Sequence, residues 1–140
     1  MIAGSEGVGR GASPFPTFCS RRSEAMSDRE ATIAELRARV SAFTEERDWA
    51  RFHSPKNLSM SIAIEAAELM EEFQWLTGEE SRAALEDATK RAQVVAELAD
   101  VLIYCLDMAN VLGVDVSTAV ADKLAEDARK YPADEYRGRF

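Results

Sequence analysis

Two pairs of acids carry the clearest chemical potential in this chain. Glu65 and Glu68 stand three residues apart, and so do Glu97 and Asp100. On a helix, about 100° per residue places the two members of each pair on one face, one turn apart. Both pairs sit among apolar residues: Ile62, Ile64, Leu69 and Met70 around the first, Val94, Val95, Leu98 and Val101 around the second. Four carboxylates facing one another across a helix pair repel, so they are either exposed to water or compensated by protons or cations. A hard divalent cation is the natural compensation. Magnesium takes oxygen ligands, keeps several waters and shares its sites with phosphates. With no histidine or cysteine in either pair, zinc is a poor fit. A single E-x-x-E is ordinarily a solvated helix face, because glutamate favours helices. Spacing alone leaves both readings open. A di-iron helical bundle needs E-x-x-H pairs, and the one histidine, His53, has no glutamate three residues before it.

These acids need helices to position them, and the chain reads as four. Ser27-Asp28-Arg29-Glu30 has the form of a capping box. Ile33, Leu36, Val40 and Phe43 then form one apolar helical stripe that should end near Asp48. Trp49 to Pro55 is a connection, since the residue before a proline disfavours helix. Asn57 can cap a second helix carrying Leu58, Ile62, Leu69, Phe73 and Leu76, with Thr77-Gly78 as its end. Residues 79–88 are polar and acidic, a short helix or a loop. A third long helix is expected from about Thr89 to Leu112, with Gly113 beyond it. Asp115 can cap a fourth, from Val116 to about Tyr131, which Pro132 stops. No alternating β-branched run suggests a strand, so the fold class is all-α.

Residues 1–26, with Gly4, Gly7, Gly9 and Gly11 ahead of a Ser-Pro-Phe-Pro run, have no helical or strand periodicity and read as a disordered extension. Residues 27–140 read as the single domain. Met26 directly precedes the first helix signal and is a reasonable native start. With 46% hydrophobic residues the chain can bury a core, although one of 140 residues gains from oligomerisation. A net charge of −8 argues against a nucleic-acid polymer as partner, because such binding needs basic groups to displace counterions. Nucleotides remain open, since bound cations reverse the local charge. Cys19 and Cys105 suggest no disulfide framework and fit a reducing compartment. The longest apolar stretch is broken by Glu97, Asp100 and Asp107, so no membrane span is expected, and without a signal-type apolar segment the localisation reads as cytoplasmic.

The acid block, E-x-x-E at 65–68 and E-x-x-D at 97–100, resembles the signature of the MazG-like all-α nucleoside triphosphate pyrophosphohydrolases, and within them the dCTP pyrophosphatase branch. The resemblance extends through ERDWARFHSPKNL (Glu46 to Leu58), EAAELMEEFQWL (Glu65 to Leu76), ELADVLIY (Glu97 to Tyr104) and K-x-x-x-x-x-x-K-Y-P (Lys123 to Pro132), and covers residues 27–140. It implies a four-helix bundle and hydrolysis of a (deoxy)nucleoside triphosphate between the α and β phosphates, giving the monophosphate and pyrophosphate. Such chemistry uses Mg2+ to neutralise phosphate oxygens and activate water. Glu65, Glu68, Glu97 and Asp100 match the family's metal ligands. A neighbouring carboxylate, Glu68 or Glu71, would serve as general base, and the residues do not separate the two. Glu72 returns to the face of Glu65 and can support the site or form a salt bridge.

The resemblance also assigns a substrate pocket. Trp49 and Trp75 match tryptophans that line the nucleobase pocket, and Tyr104 matches a tyrosine beside the metal. Lys123 matches a lysine that meets the triphosphate, and Lys56 can contribute from the loop. His53 is expected to hold the loop rather than touch substrate. Two positions depart from the branch. Val40 replaces a histidine, and Asp127 replaces an asparagine with an acceptor-only anion. Both bear on cytosine preference more than on the reaction. The family implies a homo-oligomer, dimer or tetramer, with neighbouring subunits completing each pocket. The expected role is housecleaning of the nucleotide pool, with dCTP or a modified dCTP as candidate substrates. The alternative is a non-catalytic helical oligomerisation or regulatory protein that retains the fold, a reading that Asp127 supports.

Overall fold

The structure, a computed structural model, describes residues 27–139. The expectations for residues 1–26, including Cys19 and a start at Met26, lie outside the described residues. The chain divides into two units between Glu30 and Ala31. In the first, Ser27 to Glu30 form a turn closed by the Glu30 N–H to the Ser27 carbonyl at 3.0 Å.

The second unit is helical throughout its described regular structure: α1 (Ile33–Glu46), α2 (Pro55–Glu71), α3 (Gly78–Ala83), α4 (Ala88–Leu112), α5 (Val116–Lys130) and α6 (Ala133–Tyr136). Short 3-10 turns at Ala50–Phe52 and Ala84–Glu86 complete it. The expected four helices are therefore the long ones, α1, α2, α4 and α5, with two short ones added.

Three expected boundaries move, each for a capping reason. The first helix starts at Thr32 rather than Ser27, because Thr32-x-x-Glu35 is the box that abuts the first residue of the apolar stripe. The Thr32 hydroxyl accepts the Glu35 N–H at 3.2 Å, and the Glu35 carboxylate accepts the Thr32 N–H at 2.7 Å. Helix α2 is capped by Ser54, not Asn57. Pro55 takes the first helical position, where its missing N–H costs nothing, while Asn57 donates its side-chain amide to the Phe52 carbonyl at 2.8 Å. Thr77-Gly78 begins a helix instead of ending one. Thr77 and Glu80 form a second reciprocal box, and the chain between Glu71 and Thr77 runs as turns.

Helices α2 and α4 make the most extensive packing contact, and α1 lies against α4 as well. The α2–α4 pair is antiparallel: Glu72 meets Lys90 near one end, and Glu65 nears Glu97 further along. The Lys90 Nζ to Glu72 Oε2 bond of 2.5 Å is only partly exposed and ties the two helices. Arg37 fixes α1 to α4, donating to the Asn110 side chain at 2.9 Å and the Ala109 carbonyl at 3.2 Å, while Asn110 returns a bond to the Arg37 carbonyl. Asp87 caps α4 through the Lys90 N–H at 2.7 Å. That helix ends as expected at Gly113, whose φ of 64° is left-handed. Asp115 then caps α5, and the helix stops at Lys130 before Pro132.

The core is thin. Leu58, on α2, is 1% exposed, and Ala109 is the other buried apolar residue among those described. Many large apolar side chains stay open, including Ile64, Val95, Leu102, Val120 and Leu124. No helix among the described residues is long and apolar enough to cross a membrane.

Candidate metal centre and neighbouring cavities

The antiparallel α2–α4 pair brings the two acid motifs face to face. Glu65, Glu68 and Glu97 each place a carboxylate oxygen within 4.8 Å of the others. Partial burial pushes the Glu65 carboxyl above the ordinary glutamate range, and the charges of Glu68, Asp100 and Glu97 push it further. Glu97 is raised in the same way, first by desolvation, then by Glu68, Asp100 and Glu72. These acids repel, and among the described residues no ion pair joins Glu65, Glu68 or Glu97 to a cation. Asp100 contributes to the field, but its oxygen is not among the three that converge.

The donor set suits a hard cation. Two oxygens on one magnesium at about 2.0–2.1 Å lie about 2.9 Å apart when adjacent and about 4.2 Å when opposite. Three carboxylate oxygens within 4.8 Å of one another are near enough to converge on one ion by side-chain rotation. All three are oxygen donors, and the exposure of Glu68 leaves one side open to water and phosphate.

Of the two base candidates, Glu68 belongs to the converging cluster. Glu71 lies one turn on and lines a separate cavity of about 380 Å³ with Glu72, Trp75, Leu76 and Lys90. Trp75 is 86% exposed there. The two tryptophans therefore do not share a pocket within one chain.

Trp49 lines the cavity beside Asp100, of about 160 Å³, which α1, the loop and α4 enclose. Val40, Phe43 and Thr44 come from α1, and Ile103, Tyr104 and Asp107 from α4. A local backbone device sets Trp49 in place. Asp48 takes the left-handed region at φ 53°, and the Trp49 N–H returns to the Thr44 carbonyl at 3.0 Å, closing α1 as a Schellman motif. The ring then packs edge-on against Phe43 at 5.8 Å.

His53 lines this cavity too, and sequence reasoning missed its partner. Its Nδ1 lies 2.5 Å from Oδ2 of Asp107, which is 5% exposed. The signal was available: an aspartate in an apolar helix needs a counter-group, and Asp107 follows Asp100 by two turns.

Lys56 stands exposed on the first turn of α2. Lys123 and Asp127 lie on α5 and pair with each other at 3.1 Å, with Glu126 also on the lysine at 3.3 Å. These bonds raise the Lys123 ammonium above its usual range, that to Asp127 first. The structure brings neither residue into the two cavities described.

Comparison with known proteins bears on this arrangement. Bovine dCTP pyrophosphatase 1 is 38% identical over 109 residues, 78% of this chain and 64% of the bovine protein. The human dCTP pyrophosphatase 1 is 39% identical over 104 residues, 74% of this chain and 61% of its own length. This chain thus spans less than two thirds of these mammalian relatives. The dATP/dGTP diphosphohydrolase of Cyanophage S-2L is 37% identical over 95 residues, covering 68% of this chain and 72% of the phage protein. The crystal structure of a pyrophosphatase from Archaeoglobus fulgidus superposes with a TM-score of 0.68 at 38% identity, covering 77% of this chain and 99% of that one. Residues 60–139, a stretch that contains all four acids, match the MazG-like family. A match over more than half its length establishes that the chain belongs to the MazG-like family.

Proposed function

We propose that this chain is a Mg2+-dependent pyrophosphohydrolase that cuts (deoxy)nucleoside triphosphates between the α and β phosphates. The observation that carries the reading is the convergence of Glu65, Glu68 and Glu97 on adjacent helices, with no ion pair to any of the three among the described residues. The relatives' names, dCTP pyrophosphatase and dATP/dGTP diphosphohydrolase, point to the same bond. Glu65, Glu68 and Glu97 would hold the cation, with Asp100 as the fourth acid of the site. The bound cation supplies charge neutralisation for phosphate oxygens and a more acidic water. Glu68, exposed beside that position, takes the proton of the attacking water, with Glu71 one turn away as the other candidate. Trp49 and Tyr104 flank the base. dCTP or a modified dCTP is the leading substrate, and nucleotide-pool housecleaning in the cytoplasm the role, with residues 27–140 as the working domain.

A homo-oligomer, dimer or tetramer, completes the pocket. Val120 and Leu124 on α5 are 52% and 64% exposed, and Ile64 and Val95 flank the acids equally open. A second copy covering these faces would extend each pocket with side chains from its neighbour. Light scattering would read the subunit number. Mixing Glu68→Gln with Trp75→Ala subunits is expected to restore activity if Trp75 reaches a neighbour's site.

One observation favours the alternative, a non-catalytic oligomerisation or regulatory protein. Lys123 is already engaged by Glu126 and Asp127, leaving it less free to meet phosphate. A panel of triphosphates with magnesium separates the two. Monophosphate and pyrophosphate in equal amounts support the hydrolase. No product from any triphosphate, or diphosphate with inorganic phosphate, would sink it.

A further inference from the structure

Among the described residues, one hydrogen bond ties the segment between α1 and α2 to α4. The other bonds of Asp48 to Ser54 are local. The Trp49 N–H goes to the Thr44 carbonyl at 3.0 Å, and the His53 N–H to the Ala50 carbonyl at 3.2 Å. The Phe52 carbonyl accepts from Asn57 at 2.8 Å, and Arg51 pairs with Asp48 at 3.6 Å. Both flanking helices pack on α4, but the Ala50–Phe52 turn between them is not among the elements in extensive contact. Phe52 stays 53% exposed. The imidazole of His53 is what reaches across, to Asp107.

Packing does not fix that imidazole. The pair stands between two cavities, one of about 160 Å³ beside Trp49 and one of about 190 Å³ beside Ser41, Asn110 and Val111. Thr44, His53 and Asp107 line both. With space on two sides, the ring lacks the close contacts that hold a core side chain in one place. Its position is set instead by the bond to a carboxylate that is itself 5% exposed, where little water competes for it. Trp49 depends on the same bond. Its ring lies 6.3 Å from that of His53, across one 3-10 turn, and is 43% exposed.

We propose that the His53–Asp107 bond is a latch that seats the Trp49–Ser54 segment against α4, which makes Asp107 a positioning residue for Trp49. The left-handed Asp48 sets the direction of the chain as it leaves α1, and the latch fixes its distance from α4. Its effect on turnover rests on the pyrophosphohydrolase reading, in which Trp49 flanks the base. The latch itself does not. Release leaves the binding-competent arrangement only partly populated and weakens apparent substrate affinity by that fraction.

The chain has two tryptophans, so Trp75→Phe makes Trp49 the sole reporter. In that background, acrylamide quenching should rise for Asp107→Ala and for His53→Ala. The double variant should go no further than either single one, because both remove the same bond. Should Asp107→Ala fail to fold, His53→Ala carries the test. Asp107→Asn, whose amide can still bond Nδ1, should keep most of the shielding. With both tryptophans native, Asp107→Ala should raise the KM for a triphosphate about tenfold, the weight of one buried hydrogen bond, with kcat and Mn²⁺ affinity held. A merely structural role would lower the melting temperature and leave quenching and KM as in wild type. Quenching unchanged by either variant, or additive in the double one, overturns the proposal, as does a KM unmoved while quenching rises. The expected quenching pattern in a protein that hydrolyses no triphosphate would support the latch and reject the hydrolase reading.

Discussion

Helix α4 treats its acids in two opposite ways. Asp107 is buried and paired with His53, and it makes its counter-group part of the fold. Two to three turns earlier, Glu97 and Asp100 face Glu65 and Glu68, and the charges of Glu68, Asp100 and Glu72 add to the effect of burial on Glu97. The difference separates structure from function on one helix. A paired acid stabilises the chain that supplies its partner. An unpaired cluster costs stability until something outside the chain completes it.

Removing one acid from each region should have opposite consequences. Glu97→Gln is expected to cut pyrophosphate release more than about 100-fold, since even groups that merely support metal ligands are worth 10–100-fold. The same change should raise the melting temperature of the metal-free protein by relieving repulsion. Asp107→Ala should lower that temperature by leaving the His53 N–H without a partner, a cost of about 1–3 kcal/mol. Thermal denaturation without metal reads both, and equal signs would erase the contrast.

Acidity sharpens it further. Glu65 and Glu97 are raised in the folded state, so the fold binds their protons more readily than the unfolded chain does. Their contribution is therefore most favourable below the ordinary glutamate value and is lost as pH rises through the raised values. The gain in melting temperature on adding magnesium should grow with pH across that window. The helix caps run the other way. Asp115, lowered first by its bond to the Thr118 N–H, stabilises above the ordinary aspartate value and loses that contribution as pH falls through its own. A magnesium effect independent of pH would disconnect the acids from the cation.

The smallest expected effect concerns the wall opposite α4. Asp48 holds a left-handed conformation that disfavours most side chains. Asp48→Gly should leave Trp49 in place and stabilise by up to about 1 kcal/mol, whereas Asp48→Val should destabilise. Melting curves with Trp49 fluorescence would separate the two.

Much of this arrangement was legible in the sequence because it repeats along a helix. Three-residue spacing placed the acids, and Gly113, Asp115 and Pro132 marked α4 and α5. Capping was harder to read where signals compete: Ser27 and Thr32 both begin S/T-x-x-E, and only the second abuts the apolar stripe. Thr77-Gly78 contains a stop signal inside a start signal, and the reciprocal bonds with Glu80 decided it. The His53–Asp107 pair spans 54 positions, a separation at which periodicity says nothing about contact. Trp49 and Trp75 fall into one motif series yet line different cavities, because the chain turns after Glu71.

The open acid cluster is expected to hold a divalent cation. Titration with Mn²⁺, followed by electron paramagnetic resonance, tests it without requiring turnover. The wild-type chain should bind the ion saturably, magnesium should displace it, and Glu97→Gln should lose the binding while Asp107→Asn retains it. Equal binding by wild type and Glu97→Gln, or none by either, would contradict the account.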